Sequence, residues 1–458
     1  GDPRPMRPFR ARGPLLLVAT LVAGLSGCEQ VEQIRDARRG LTPHETYLAS
    51  LADAGLAETA LVRDWISAGL DAVENAPRVQ LPFQEEGFIA ADEAGAAAYR
   101  VRIGRGQRLT GRVSLTSPDG ARVFVDLFRV PEDPRDPLRP VLSVDSVPGT
   151  FRYEPWRGGD FIVRVQPELL RGGSYRVVLR LEAQLAFPVV GKDSRAILSG
   201  WGVDRDAGRR RHEGVDIFAR RGTPVLAPSD GVVNRVNITP LGGKVVWLRD
   251  AARNANIYFA HLDSQAVRSG QRVSLGDTLG FVGNTGNART TNPHLHFGIY
   301  RRGEGAVDPA PFLRTPTGTL AEVEADLARL GTWVRMRDEG VRLRQAPFLR
   351  ADIRRELGRY TPLRVLAGSG DWYRVRLPDG AEGYVAARLT EPLDVPVETV
   401  VASRDEPVQA TPETASSVIG SVPAGAELAV LGRFDGYLLV QAPAGRSGWV
   451  GPDGSSPP

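Results

Sequence analysis

The sequence predicts a mainly β, multidomain protein, and three observations carry that prediction. From about residue 80 onward, apolar residues alternate at period two, the spacing of half-buried strands. Glycine-rich turn signals such as Arg171-Gly172-Gly173 punctuate the runs. At 458 residues the chain is also too long for one ordinary core, and length alone suggests about three domains. Finer patterns divide it into residues 1–28 (leader), 29–78 (linker and amphipathic helices), 79–188 (β-sandwich), 189–314 (a histidine-rich β domain), 315–334 (helical linker), 335–393 and 394–453 (two small barrels).

The leader comes first. Arg7, Arg10 and Arg12 precede the apolar run Leu15 to Leu25. That run is shorter than the about 20 residues a spanning helix needs, and it has the layout of a secretory signal peptide. It ends in Leu25-Ser26-Gly27-Cys28, which resembles the bacterial lipobox, where the cysteine is lipidated and becomes the mature N-terminus. Cys28 is the only cysteine, so an intrachain disulfide is excluded. The resemblance implies a lipid anchor in the cell envelope, facing the periplasm. Glu29, in place of an aspartate that would retain the chain at the inner membrane, points to the outer membrane. No later stretch is long and apolar enough to span a bilayer. The formal charge is +4, and lysine occurs only at 192 and 244. No Lys/Arg run is interleaved with aromatics, so no nucleic-acid partner is expected.

Thr42-Pro43-His44-Glu45 reads as a capping box, and Tyr47, Leu48, Leu51, Leu61, Val62, Trp65 and Val73 continue as one or two amphipathic helices. His44 falls in the first turn, as a surface residue. Val101 and Ile103, Val113 and Leu115, Val123 to Leu127, Phe161 to Val165 and Tyr175 to Leu181 then alternate with polar residues. They predict an antiparallel sandwich, similar to the jelly-roll modules beside secreted bacterial peptidases, serving as spacer or docking module. Leu320, Val323, Leu327 and Leu330 suggest a short linking helix. The last 120 residues repeat weakly: Trp372 to Gly383-Tyr384-Val385 matches Tyr437 to Gly448-Trp449-Val450. Each copy resembles the bacterial SH3-like module. Trp372, Tyr384 and Trp449 either line a ligand groove or fill small cores.

The functional signal lies between. Four of the five histidines, His212, His261, His294 and His296, fall within one stretch of fewer than a hundred residues. In Pro293-His294-Leu295-His296-Phe297, strand alternation sends both histidines to one face and Leu295 and Phe297 to a core. His212 and Asp216 would lie about 13 Å apart on a straight strand. They can share one metal only if the backbone turns between them, which Gly214 would permit.

From about Ser199 to Pro311, these segments resemble the lysostaphin-type zinc metallopeptidases, the LytM family of peptidoglycan endopeptidases. Gly222-Thr223-Pro224-Val225, Ala227, Gly231, Gly270, Val273, Gly276, Gly280 and Gly283 share in the match. The resemblance implies a compact all-β domain with a groove across one Zn2+ held by His212, Asp216 and His296. It implies His261 and His294 as the catalytic pair, with the roles of base and acid open between them. Glu213 receives no role. Asn292 and Gly298 stand where the family often has glycine and an acidic residue. The implied function is hydrolysis of peptide cross-links in peptidoglycan, with stem peptides as partners and D-Ala to diaminopimelate bonds favoured over glycine bridges. The alternative is a non-catalytic peptidoglycan-binding activator of cell-wall amidases.

Overall fold

Strand alternation and capping both reappear in the computed structural model. It describes residues 40–117, 120–145, 149–205, 208–441, 447–451 and 455–456. The leader and Cys28 lie outside the described residues. Leu41–Pro458 form one packed unit. No helix among the described residues is long and apolar enough to cross a membrane.

Helix α1, Pro43–Asp53, starts on the expected capping box: Glu45 N donates to Thr42 Oγ1 at 3.1 Å, and Thr42 N donates to Glu45 Oε2 at 2.7 Å. Helix α2, Ala60–Glu74, buries Val62 and Trp65, and the Trp65 indole donates to the Pro167 carbonyl at 2.9 Å. His44 corrects the sequence reading. It is buried, stacked on Trp65 at 4.8 Å and bonded to Gln166 at 3.2 Å. The first turn of α1 faces the sandwich, which helical periodicity alone does not reveal.

Eight strands between Phe83 and Ala183 form two packed sheets. In one, Phe83–Ile89, Gly173–Ala183, Gln107–Thr116 and Gly149–Tyr153 are neighbours in that order. In the other, the order is Ala97–Ile103, Gly159–Pro167, Val123–Arg129 and Arg139–Val144. The alternating residues Val101, Ile103, Val113, Val163 and Val177 all point into the shared core. The first sheet does not stop at the sandwich. Phe83–Ile89 also pairs with Pro362–Ser369, with Gly87 opposite Ala367, so an eleven-stranded sheet runs into the C-terminal region.

The expected helix over 315–334 is not there. Only Leu327–Arg329 makes a 3₁₀ turn, and the segment before it has no regular secondary structure. Glu324 and Ala325 both donate to the Gly370 carbonyl, and Val323, Ala325 and Leu327 pack over Gly368. Contacts at i, i+2 and i+4 with one glycine do not fit a helical face, although Leu320, Val323, Leu327 and Leu330 fit a helical period.

The two C-terminal copies share one strand order. The first contains Trp333–Met336, Val341–Arg344, Ile353–Leu357, Pro362–Ser369, Trp372–Arg376 and Glu382–Ala386. The second contains Glu398–Ala402, Glu406–Gln409, Val418–Val422, Glu427–Phe434, Tyr437–Gln441 and Ser447–Val450. In each, the third strand pairs the second, then follow the sixth, fifth, fourth and first. Trp372, Tyr384 and Trp449 are all buried, so the groove alternative fails and they serve as core.

Candidate metal centre

The strand His294–Arg301 runs antiparallel between Ala255–Leu262 and Val215–Phe218. Its pleat buries Leu295 and Phe297 completely and leaves His294 and His296 on the other face. Asp216 is the direct register partner of His296. Partner Cβ atoms in such pairs lie about 4.5–5.5 Å apart, so the carboxylate reaches the imidazole without help from a loop. His212 precedes this pair in the chain. Its N–H donates to the Val203 carbonyl and its carbonyl accepts from Gly202, which fixes the bend that brings it back. Gly214 is required for space, not for an unusual φ. A Cβ there would lie 2.6 Å from the Phe297 oxygen and 2.7 Å from His296 Nε2.

Three donor atoms converge as a result. Asp216 Oδ1 is 3.0 Å from His212 Nε2 and 3.1 Å from His296 Nδ1, and the two nitrogens are 2.9 Å apart. His212 Nδ1 donates to the Gly200 carbonyl at 2.7 Å, which leaves Nε2 as the lone-pair nitrogen of the neutral ring. Burial pushes the Asp216 carboxyl up, but His212 and His296 outweigh it and hold the group well below the usual carboxylate range. Burial lowers His296 despite the neighbouring carboxylate. The second oxygen, Asp216 Oδ2, accepts from Arg205 Nη2 at 2.5 Å.

His261 and His294 stand beside these three. The strand pair Gly243–Asp250 and Ala255–Leu262 shifts register between Lys244 and Val246. At that irregularity His261 adopts φ 63°, a left-handed conformation costing a β-substituted residue about 1–3 kcal/mol. Its N–H donates to the Gly242 carbonyl at 2.7 Å. The bulge turns its ring toward His294 and His296, at centroid distances of 5.0 Å and 5.9 Å. Nδ1 of His261 donates to the Thr285 carbonyl at 2.9 Å, and Nδ1 of His294 to the Asn292 carbonyl at 2.8 Å. Both rings therefore keep Nε2 as acceptor while neutral. Burial, reinforced by His294 and His296, lowers His261 to about 4, so it is neutral near pH 7. Asn292 acts here through its backbone oxygen. Phe218 stacks on His294 at 5.1 Å and 26°.

All five sequence-selected residues of this region thus meet in one place. Glu213 does not join them; it accepts from the Tyr300 hydroxyl at 3.4 Å. Sequence reasoning missed Arg205 and Phe218. Phe218 was legible in principle, since it follows Asp216 at strand spacing, whereas no local pattern marks Arg205. Two imidazole nitrogens and a carboxylate oxygen, beside two bases of fixed tautomer, can hold a divalent cation and relay protons next to it.

Residues 210–309 match the model of peptidase family M23, and residues 339–391 match that of the bacterial SH3 domain. The L-Ala–D-Glu endopeptidase of Bacillus subtilis is 39% identical over 140 residues, 28% of this chain and 43% of the relative. The peptidoglycan DD-endopeptidase ShyC of Vibrio cholerae is 38% identical over 91 residues, 19% of this chain and 20% of the relative. The chain thus spans less than half the length of either curated relative. The solved catalytic domain of lysostaphin from Staphylococcus simulans is 33% identical, covers 25% of this chain and 88% of that one, and has a TM-score of 0.23. The chain carries a peptidase domain of family M23 at residues 210–309 and a bacterial SH3 domain at residues 339–391.

Proposed function

We propose that the chain is a zinc-dependent endopeptidase that hydrolyses peptide cross-links of peptidoglycan. One observation carries the reading: the donor atoms of His212, Asp216 and His296 all lie within 4.8 Å of one another, with His212 and Asp216 buried and His296 partly so. The donor set fits the ion. Three protein ligands without thiolate are the mark of catalytic zinc, whereas structural sites are closed and cysteine-rich. The same set also suits ferrous iron, so elemental analysis identifies the metal. The peptidoglycan substrate draws its support from the activities for which the two curated relatives are named.

Bound by these residues, zinc would polarise the scissile carbonyl and lower the pKa of a water. His261 and His294 do the proton work. A neutral Nε2 accepts the proton of the attacking water; the resulting imidazolium hydrogen-bonds to the tetrahedral oxyanion and then transfers that one proton to the leaving amine as the C–N bond breaks. Incubating the purified full chain with cross-linked peptidoglycan, then identifying released muropeptides by mass spectrometry, tests the reading. New peptide termini that vanish with a chelator and return with zinc support it. Intact cross-links at full zinc occupancy contradict it.

We also infer that Cys28 is lipidated and holds the chain in the envelope, facing the periplasm at the outer membrane. The layout from Arg7 to Glu29 supports this. Cys28→Ser should move the protein out of the membrane fraction or block processing. A processed Cys28→Ser chain that still fractionates with membranes contradicts it.

A further inference from the structure

The two oxygens of Asp216 are engaged very differently. Oδ1 faces His212, His296 and, at 3.9 Å, His294. Among the described residues Oδ2 meets only Arg205, whose Nη2 also donates to Ser199 Oγ at 2.7 Å. Ser199 lies on the strand Ile197–Ser199 and is the register partner of Asp216, so arginine, serine and aspartate are locked to one another across a strand pair. Arg205 itself belongs to the short strand Asp204–Arg205, paired with Arg210–Arg211 just before His212. The Asp216 side chain is only 7% exposed, which makes this a sheltered, charge-assisted bond.

We propose that Arg205 is a positioning residue of the cation site, holding Asp216 Oδ2 so that the carboxylate presents Oδ1 alone to the metal. The inference rests on the metal reading above. Two effects of the guanidinium oppose each other. Its charge repels a nearby cation, so its removal by itself would tighten metal binding. Its hydrogen bond orients the ligand, and outer partners of this kind typically contribute 10–100-fold in metal affinity or activity. Orientation wins in this account, because without Arg205 the sheltered Oδ2 has no other partner among the described residues and the carboxylate is free to rotate or chelate through both oxygens.

The test uses the full chain, Arg205→Met, Arg205→Lys and Ser199→Ala, each with circular dichroism as a check on folding. Co2+ serves as the probe, because its visible absorption reports the number of ligands. Arg205→Met should bind Co2+ about 10–100-fold more weakly and show an altered visible spectrum. Arg205→Lys, which keeps the charge and one donor, should recover part of the affinity, and Ser199→Ala should show a milder loss. Unchanged or tighter binding by folded Arg205→Met, with the parent spectrum, overturns the positioning role. Failure of the parent chain itself to bind Co2+ overturns the metal reading instead.

Discussion

Among the buried clusters of ionisable groups in the described residues, those around Glu85 and Asp216 make the sharpest contrast. Around Glu85, every group is satisfied. Tyr99 and Tyr175 donate to Oε1 at 2.7 and 3.0 Å, and Tyr384 donates to Oε2 at 2.7 Å. Arg374 lies 3.6 Å from the same carboxylate and pairs with Glu382. This cluster joins the sandwich to the first C-terminal copy where their strands form one sheet. Around Asp216, Oδ1, His212 Nε2 and His296 Nδ1 converge, and with both rings neutral at most one of the three atoms, His296 Nδ1, carries a hydrogen. Buried polar groups are normally paired donor to acceptor, so a donor-poor set of ligand atoms aimed at one point is a place where a cation fits. The difference between the clusters is donor count, not burial or charge.

The largest expected effect separates them outright. Asp216→Ala or His296→Ala should abolish both metal binding and peptidoglycan cleavage. Glu85→Gln should leave metal content unchanged, although it weakens the joint between modules. Elemental analysis and muropeptide release read both outcomes, and cleavage by metal-free Asp216→Ala would break the comparison.

Next comes the proton relay within the metal cluster. His261→Ala should keep its metal and lose about 10²–10⁴-fold in kcat, roughly 3–5 kcal/mol of barrier. Combining it with His294→Ala should add far less than a second full loss, since both act on one intermediate. Near-normal turnover by metal-loaded His261→Ala rules out the assignment. It is the cleaner single test, because His294 shares a strand face with His296.

A smaller effect belongs to the satisfied cluster. Tyr384→Phe removes one hydroxyl donor from a wholly buried carboxylate and should cost about 1.5–3 kcal/mol of stability. Metal content and turnover should stay at parent level. A parallel loss of activity would mean that the two clusters are coupled.

The gentlest probe is alkaline pH. Burial, helped by the Glu85 charge, raises Tyr99, Tyr175 and Tyr384 above their ordinary value of 10.0. Raised values favour the protonated folded state, so this stability is fully present below pH 10 and is lost as the pH climbs beyond it. Unfolding midpoints should be flat from pH 8 to 10 as far as these groups act, then fall. Tyr384→Phe should soften the fall, and an unchanged slope in that variant would contradict the account.

Patterns carried by neighbouring residues were legible in the sequence. The capping box at Thr42 and Glu45, the alternation of the sandwich strands and the two-apart histidines of Pro293 to Phe297 all depend on spacing that a linear reading captures. What failed depended on distant partners. Nothing near Glu86 indicates that it pairs with Gly368, and nothing near His44 reveals Trp65 above it. The segment from Leu320 to Leu330 satisfies a helical period, yet it packs on Gly368 and Gly370 without forming a helix beyond the turn at Leu327–Arg329. The site shows the same split. His212, Asp216 and His296 were found through their motifs. The bulge that turns His261 inward and the arginine that holds Asp216 arise from register and tertiary packing.

Metal content in the Asp216→Ala chain, measured beside the parent by elemental analysis, tests the central claim most directly. The account predicts one zinc per parent chain and none in the variant, with both chains folded. Full zinc occupancy in Asp216→Ala would contradict it.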